Sequence, residues 1–188
     1  MLILCLLGVS IVVFLLALVW LLLPAFYGLP SVPTRPERIR KALQRVKLQP
    51  NENLYDLGAG DGRVVIMAAQ VFGAQAVAIE VGPVQCGLIW LRAQLSGLAD
   101  KIEVRLQDYL QADLRAADVV FVYATSREIL KLAPLLESQL KPGARLISIS
   151  ADFAQWEPVD FDEHDLIFVY EMPPTPGSLA TYLLKKDH

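Results

Sequence analysis

The sequence predicts an α/β protein in which a mostly parallel, seven-stranded sheet is preceded by one N-terminal transmembrane helix. Three observations predict this arrangement. From residue 53 onward, apolar stretches of strand length alternate with helical stretches, which is typical of a parallel sheet covered by helices on both faces. A glycine-rich turn, YDLGAGDGR at 55–63, follows the first predicted strand. Ahead of the domain lies an uncharged apolar segment, residues 2–23.

The predicted strands lie at 53–57, 76–80, 102–107, 118–123, 144–150, 165–171 and 179–185. Helices are predicted at 36–47, 62–72, 83–96 and 126–140. The first helix would begin after Thr34, a residue type favoured at N-caps, with Pro36 in its first turn. Only MPPTPGS separates the last two strands, so we expect them to form an antiparallel hairpin at one edge of the sheet.

Residues 2–23 are the candidate membrane segment. As a helix they would extend about 33 Å, close to the ~30 Å hydrocarbon core of a bilayer. A signal peptide is the alternative, but no charged n-region precedes the segment, and the run exceeds the roughly 7–15 apolar residues of a signal-peptide core. We therefore predict an anchor at 1–24, a proline-rich leader and basic helix at 25–50, and a catalytic domain at 51–188.

The charges that follow this segment predict its orientation. Residues 35–47 contain one acid, Glu37, and six bases: Arg35, Arg38, Arg40, Lys41, Arg45 and Lys47. By the positive-inside rule, the C-terminal domain is expected on the cytoplasmic side of the membrane. An ordinary solvated helix face is the alternative interpretation. The two are compatible, because cations beside anionic headgroups favour membrane association.

Composition argues against several other classes of protein. The net charge of −3 provides no basic field for nucleic acid, so no nucleic-acid partner is expected. The two cysteines, Cys5 and Cys86, and the two histidines are not spaced as metal ligands, so we predict no metal site. Both cysteines are interpreted as packing residues.

The glycine-rich turn is the main functional signal. In a doubly wound sheet, ligands bind beyond the carboxyl ends of the strands, and glycines let bare backbone approach a ligand closely. The dinucleotide fingerprint G-x-G-x-x-G does not fit, because the third glycine, Gly62, comes one residue early and Arg63 occupies the sixth position. Asp56 would repel a diphosphate, but it suits a cationic ligand. S-adenosylmethionine, with its sulfonium and ammonium groups, is such a ligand.

Two further acids follow neighbouring strands. Glu80 ends the second strand, 20 residues after Gly60, where a carboxylate can accept hydrogen bonds from both ribose hydroxyls. Asp108 follows the third strand and could accept from an adenine amino group. An acid at a strand end is often only a solvated cap. Three of them on consecutive strands, beside a glycine turn, favour a nucleoside pocket.

With these motifs the sequence resembles class I S-adenosylmethionine-dependent methyltransferases over residues 51–150, which implies a Rossmann-like fold. Within them it is similar to small, often membrane-anchored enzymes that include the mitochondrial lysine methyltransferases acting on the ATP synthase c subunit and the adenine nucleotide translocase. The matching segments are SVPTRPERI (31–39), LYDLGAGDGRVVIMAA (54–69), AVAIEVGP (76–83), DVVFVYATSREIL (118–130) and LKPGARLISISADFAQWEP (140–158).

The motif and the resemblance together give a set of candidate site residues. The predicted cofactor contacts are Thr34, Asp56, Gly58, Ala59, Gly60, Asp61, Gly62, Glu80 and Asp108. We predict that Tyr123, Thr125 and Trp156 line the acceptor pocket and that 32–34 closes over it. Core packing is the alternative interpretation of Tyr123 and Trp156. The loop 124–126 departs from the pattern of many relatives, so the acceptor is not given by the resemblance alone.

The function that we expect is methyl transfer to a lysine of a membrane protein, with the bilayer bound through residues 2–23. Two alternatives remain open. One is a methyltransferase for a lipid or lipophilic small molecule, and the other is a protein that binds S-adenosylmethionine as a non-catalytic subunit. An NAD-binding module is disfavoured by Arg63.

Overall fold

The structure is a computed structural model that describes residues 8, 10–16, 34–123 and 125–186. The chain divides into two compact units, Met1–Pro33 and Thr34–His188. In the first unit, residues 10–16 are helical and exposed. Among the described residues no helix has the length and apolar character needed to cross a membrane. Most of the predicted anchor, 1–24, lies outside the described residues.

The second unit is built on a seven-stranded sheet with the order β3-β2-β1-β4-β5-β8-β7. Its strands are β1 (Asn53–Leu57), β2 (Gln75–Glu80), β3 (Ile102–Leu106), β4 (Val119–Tyr123), β5 (Arg145–Ile149), β7 (Asp160–Asp162) and β8 (Ile167–Glu171). The first five are parallel, whereas β8 runs antiparallel to both β5 and β7. Two short strands, β6 (Trp156–Glu157) and β9 (Thr175–Pro176), form a separate antiparallel pair. The predicted mostly parallel sheet with an antiparallel edge is confirmed.

The composition of that edge was predicted wrongly. Residues Leu179–Lys186 form a helix, α5, and the strand beside β8 is β7. Ser178 explains the helix, because its hydroxyl oxygen accepts a hydrogen bond from the backbone N–H of Thr181 at 3.3 Å, as an N-cap does. The leucines, alanine and lysines that follow are good helix formers. A short apolar run alone does not distinguish a strand from a helix.

Helices cover both faces of the sheet. They are α1 (Pro36–Arg45), α2 (Arg63–Phe72), α3 (Pro83–Leu95) and α4 (Ser126–Gln139), with a 3₁₀ turn at Tyr109–Gln111. The helices α1, α2 and α3 bury apolar side chains in the core on one face, and α4 buries its own in the core on the other. Because successive strand side chains point to opposite faces, the buried strands supply both cores. The N-cap of α1 is Arg35, so the predicted cap at Thr34 is wrong.

Ion pairs attach α1 to the antiparallel edge of the sheet. Arg45 contacts Asp160 at 2.6 Å and Asp162 at 2.5 Å, and Lys41 contacts Asp162 at 2.7 Å. Arg38 donates to the backbone carbonyl of Asp165 at 2.7 Å. Half of the basic run is therefore used inside the domain. The other three cations, Arg35, Arg40 and Lys47, are exposed and make no ion pair with the residues that the structure describes.

Asp162 is the centre of this attachment, and its side chain is only 8% exposed. Burial alone would raise the pKa of Asp162, but hydrogen bonds from Lys41, the Asp165 backbone N–H and Arg45 lower it to about 2. Because this value lies below that of an unfolded chain, the carboxylate stabilises the fold above about pH 4. That stability is lost as the pH falls toward 2. We expect Asp162→Asn to lower the free energy of unfolding at pH 7 by about 2–3 kcal/mol.

Urea denaturation across a pH series measures this effect. The variant should also show a flatter loss of stability between about pH 4 and pH 2. Asp113→Asn is the matched control, because Asp113 also pairs with an arginine, Arg115, but both side chains are largely exposed. Exposed pairs contribute little. Equal losses of stability in the two variants would contradict the role given to Asp162.

Candidate functional site

The turn after β1 depends on three glycines in the left-handed backbone region. Their φ angles are 86° at Gly58, 56° at Gly60 and 77° at Gly62. The backbone N–H groups of Gly58 and Ala59 donate to the carbonyl of Ile79 at 2.9 and 3.0 Å, which joins the turn to β2. Gly62 is the N-cap of α2 and provides no side-chain cap, so bare backbone faces the carboxyl edge of the sheet here.

This turn lies at the topological switch point of the sheet. From β1 the chain proceeds to β2 and β3 on one side, and then returns to β4 on the other side. The register pairs Leu57 of β1 with Val122 of β4, so Tyr123 comes level with Gly58. The crevice between the ends of β1 and β4 is where doubly wound folds bind ligands.

Asp56 is the least usual group of the site. It is only 3% exposed, and no hydrogen bond to its side chain is found among the described residues. Burial, together with the nearby charges of Glu80 and Asp61, raises the pKa of Asp56 to about 8. A buried carboxyl without a partner is unfavourable in its ionised form unless a cation approaches it. The arrangement therefore fits a positively charged ligand.

Glu80 is held by the backbone on both sides. One carboxylate oxygen accepts from the N–H of Gly60 at 2.9 Å, and the other accepts from the N–H of Gly82 at 2.8 Å. These two bonds fix the plane of the carboxylate. Each oxygen can accept a further hydrogen bond, so the group is oriented to receive two hydroxyl donors.

Asp61 belongs to an ionic bridge between the turn and two helices. It pairs with Arg63 of α2 at 2.7 Å and with Arg92 of α3 at 3.2 Å. The hydrogen bond from Arg63 is the largest of the effects that lower the pKa of Asp61 to about 2. Arg63 also donates to the backbone carbonyl of Thr34 at 2.7 Å, so the buried Thr34 is attached at the turn.

Asp108 lies after β3, as predicted, and caps the 3₁₀ turn. Its carboxylate accepts from the N–H of Leu110 at 2.9 Å. The neighbouring residue, Gln107, donates its backbone N–H to the carbonyl of Glu80 at 3.0 Å. Asp108 is therefore in the segment beside Glu80, with one carboxylate oxygen used as a cap.

The three residues predicted for the acceptor pocket lie in different environments. Tyr123 is half-buried at the switch point, and the Arg38 guanidinium lies 6.0 Å from the centre of its ring. Thr125 caps α4, since its hydroxyl and its backbone N–H both donate to Glu128 at 2.8 Å. The structure therefore brings Tyr123 to the crevice and gives the Thr125 hydroxyl a structural partner. Residues 32, 33 and 124 lie outside the described part of the chain.

Trp156 is not brought to this crevice. It is buried, stacks on Phe153 with ring centres 4.3 Å apart, and donates its indole N–H to Glu137 at 2.9 Å. Glu137 lies near the end of α4, and the neighbouring Tyr170 pairs with Leu146 near the start of β5. Trp156 therefore packs toward the amino ends of the strands, because its apolar ring is accommodated in the core there.

Sequence reasoning did not identify the bridging role of Arg63 and Arg92. In the sequence, Arg63 argues only against a dinucleotide, and no motif marks Arg92. The backbone carbonyl of Asp61 accepts from Arg92 at 2.6 Å, across 31 positions of sequence. Such a contact depends on how α2 and α3 pack, and no local spacing signals it.

The third glycine of the turn is required for two separate reasons. A Cβ at Gly62 would lie 2.8 and 3.0 Å from the two γ carbons of Ile89, and its φ of +77° is strained for other residues. We expect Gly62→Ala to lower the free energy of unfolding by about 2–4 kcal/mol. Gly97→Ala is the matched control, with a φ of +66° and nothing within 4 Å of the added carbon. It should cost about 1–2 kcal/mol, measured by urea denaturation. Equal costs would mean that Ile89 moves aside.

Comparison with known proteins identifies the family. A family model described as the ANTKMT methyltransferase domain matches residues 56–160, which contain the turn, Glu80 and Asp108. The chain belongs to this family. A protein-lysine N-methyltransferase of Saccharolobus islandicus (strain REY15A) is 30% identical over 130 residues, covering 69% of this chain and 81% of that protein.

Two further proteins are similar to this chain over most of its length. The Homo sapiens lysine N-methyltransferase that is named for the c subunit of ATP synthase is 28% identical over 148 residues, covering 76% of this chain and 61% of that protein. The chain thus spans about three fifths of the human relative. A crystal structure described as an RNA methyltransferase from Salinibacter ruber, in complex with S-adenosyl-L-homocysteine, is 35% identical with a TM-score of 0.75. The match covers 79% of this chain and 99% of that one.

The cofactor of the methyltransferase is S-adenosylmethionine, which confirms the prediction from the glycine turn. The site fits it on its own geometry. Asp56 is a buried carboxyl that a cation would stabilise, Glu80 is oriented for two hydroxyl donors, and the glycines leave room for close approach. When bound, the cofactor supplies a methyl group already activated by the adjacent sulfonium. The protein groups then have to bind, align and exclude water.

Proposed function

We propose that this methyltransferase transfers methyl groups to lysine side chains of membrane proteins, and that residues 2–23 anchor it in the bilayer with the catalytic domain on the cytoplasmic side. The observation that carries the methyl transfer is the unpartnered Asp56 beside Glu80 at the switch point. Lysine as the acceptor is supported by the names of the relatives from Saccharolobus islandicus and Homo sapiens.

The crevice has a group suited to a lysine acceptor. A lysine must lose its proton before it can attack a methyl group, and a partly apolar site favours the neutral amine. Tyr123 is level with Gly58 in the strand register, and its ring already has the Arg38 guanidinium near one face. Aromatic faces attract ammonium groups, so Tyr123 can guide the lysine side chain toward the site before it is deprotonated.

The membrane part of the proposal is supported by sequence. Residues 2–23 contain no charge and have the length of a bilayer-spanning helix. The domain that follows contains little beyond the cofactor fold. A shared bilayer would raise the effective concentration of membrane substrates.

Labelled S-adenosylmethionine, incubated with the full chain, membranes and added RNA, tests the proposal. We expect label in protein, on lysine after hydrolysis, and we expect deletion of residues 1–24 to reduce labelling of membrane proteins strongly. A short soluble lysine peptide is the control, because its methylation should not depend on the anchor.

The same experiment separates the other candidates. Label in the lipid extract would instead support a lipid methyltransferase. Label in added RNA would match the description of the Salinibacter ruber relative, although the net charge of −3 here is unfavourable for RNA binding. An absence of label in every fraction, with cofactor binding retained, would support a non-catalytic subunit.

A further inference from the structure

The outward face of α3 carries an apolar stripe, although the helix already buries its opposite face. Ile89 and Ala93 are buried in the core. On the solvent side, Leu88, Leu91 and Leu95 are 43%, 46% and 79% exposed. They are three and four residues apart, so they lie in one row along the helix. An ordinary surface helix has polar residues in that row.

The surroundings of the stripe are unusual as well. Trp90 is 57% exposed. The thirteen residues of α3 include no carboxylate, and their only charge is Arg92, which is half exposed. Helix α4 on the opposite layer shows the contrast. Its exposed Leu130 stands alone among charged residues of that helix.

We propose that the stripe on α3, defined by Leu88, Leu91 and Leu95, lies in the interfacial layer of a lipid bilayer. Leucines on one face, with a tryptophan and an arginine nearby and no acids, are the composition of helices that lie in the plane of a membrane. This inference rests on the proposed anchor and adds the orientation of the domain on the membrane.

The connection to the N-terminal segment selects the bilayer as the occupant. Thr34 is the first residue of the domain unit, and it is bonded to Arg63, which pairs with Asp61, which in turn contacts Arg92 of α3. The leader therefore joins the domain beside the helix that carries the stripe. Ten residues, 24–33, separate Thr34 from the apolar segment 2–23. They can span at most about 35 Å, so an inserted segment would keep Thr34 within that distance of the lipid surface.

This orientation has a consequence for the substrate. Helix α3 covers one face of the sheet, and the carboxyl edge with Asp56 and Glu80 opens beside its first turn. With α3 flat on the lipid, the site would lie about one helix diameter, ~10 Å, from the headgroups. The acceptor lysines expected for such a site are those that emerge directly at the membrane surface.

Spin labels on the full chain test the proposal in vesicles of phosphatidylcholine and phosphatidylglycerol. Single cysteines are introduced by Leu91→Cys, Leu95→Cys and, as the matched control, Leu130→Cys, in a background carrying Cys5→Ser and Cys86→Ala. Binding of S-adenosyl-L-homocysteine verifies that each variant is folded. We expect labels at 91 and 95 to lie roughly 5–10 Å into the interface. For each label, the ratio of its collision rate with oxygen to its collision rate with a water-soluble nickel complex is measured. This ratio should be several-fold higher at 91 and 95 than at 130.

Each outcome bears on a stated proposal. If the chain floats with the vesicles but labels at 91 and 95 are as water-accessible as the label at 130, the inference on α3 is wrong and the anchor stands. If the chain does not float with the vesicles, the proposed anchor and the inference on α3 are both wrong. Spin–spin broadening at 91 would show that a second copy covers the stripe. Burial of the label without vesicles would show that another part of the chain does, and either result overturns the proposal.

Discussion

Replacing Glu80 with glutamine is expected to weaken binding of S-adenosyl-L-homocysteine by roughly a hundredfold or more, although the two side chains have the same shape. The carboxylate accepts from the N–H groups of Gly60 and Gly82 with different oxygens. A glutamine amide has only one oxygen, and its nitrogen can only donate. One of the two backbone N–H groups would therefore face another donor, and the turn would lose its fixed position. The pair of acceptors for ribose hydroxyls would be lost at the same time.

Isothermal titration calorimetry of Glu80→Gln measures the loss of affinity, and urea denaturation measures the accompanying loss of stability, about 1–3 kcal/mol for one unsatisfied N–H. Glu103→Gln is the matched control. Glu103 is an exposed acid on the adjacent strand β3 and pairs only with Arg105 in the described structure. The Glu103→Gln variant should bind S-adenosyl-L-homocysteine with the affinity of the wild type. Normal binding by Glu80→Gln would remove Glu80 from the cofactor site.

Much of the fold was predictable because its signals are local. The strands β1 to β5 and the helices between them follow from the alternation of apolar runs with helical patterns, and their bounds agree within about two residues. The antiparallel edge was harder to predict from the sequence. β7 is the short segment DFD, with an acid at each end. These acids form ion pairs with Lys41 and Arg45 of α1, which lies far away in the sequence. A strand defined by ion pairs to a distant helix has no local apolar pattern.

The candidate site shows the same division. The glycines, Asp56 and Glu80 could be proposed as site residues because the turn and the strand ends constrain which residues can stand there. The packing of Trp156 could not be predicted, because a conspicuous aromatic residue near the end of the domain does not reveal which end of the sheet it packs against. The environment of Asp56 could not be predicted from the sequence either. Its burial, and the absence of a described hydrogen-bond partner, depend on how β1, β2 and the turn pack together.

The environment of Asp56 leads to the second large effect. The substitution Asp56→Asn is expected to weaken cofactor binding strongly and yet to stabilise the free protein at alkaline pH. Burial first, then Glu80 and Asp61, raises the pKa of Asp56 to about 8, whereas an unfolded aspartate has a value near 4. Between about pH 4 and pH 8 the folded protein therefore holds a proton that the unfolded chain has lost. Stability contributed by this group falls as the pH rises through that range. Asparagine removes the dependence, so the variant should be more stable than the wild type at pH 8, by about 1–2 kcal/mol.

Binding should change in the opposite direction, because the cation then meets no carboxylate. We expect the affinity of Asp56→Asn for S-adenosylmethionine to fall by roughly a hundredfold or more. In the wild type, binding near pH 7 should release a proton as Asp56 ionises, and calorimetry in buffers of different ionisation enthalpy measures that release. Asp162→Asn is a suitable control, since its carboxylate has the opposite shift and should lower stability without changing proton release. Wild-type binding without proton release would show that Asp56 is already ionised in the free protein. An Asp56→Asn variant that bound the cofactor normally would show that another group receives the positive charge.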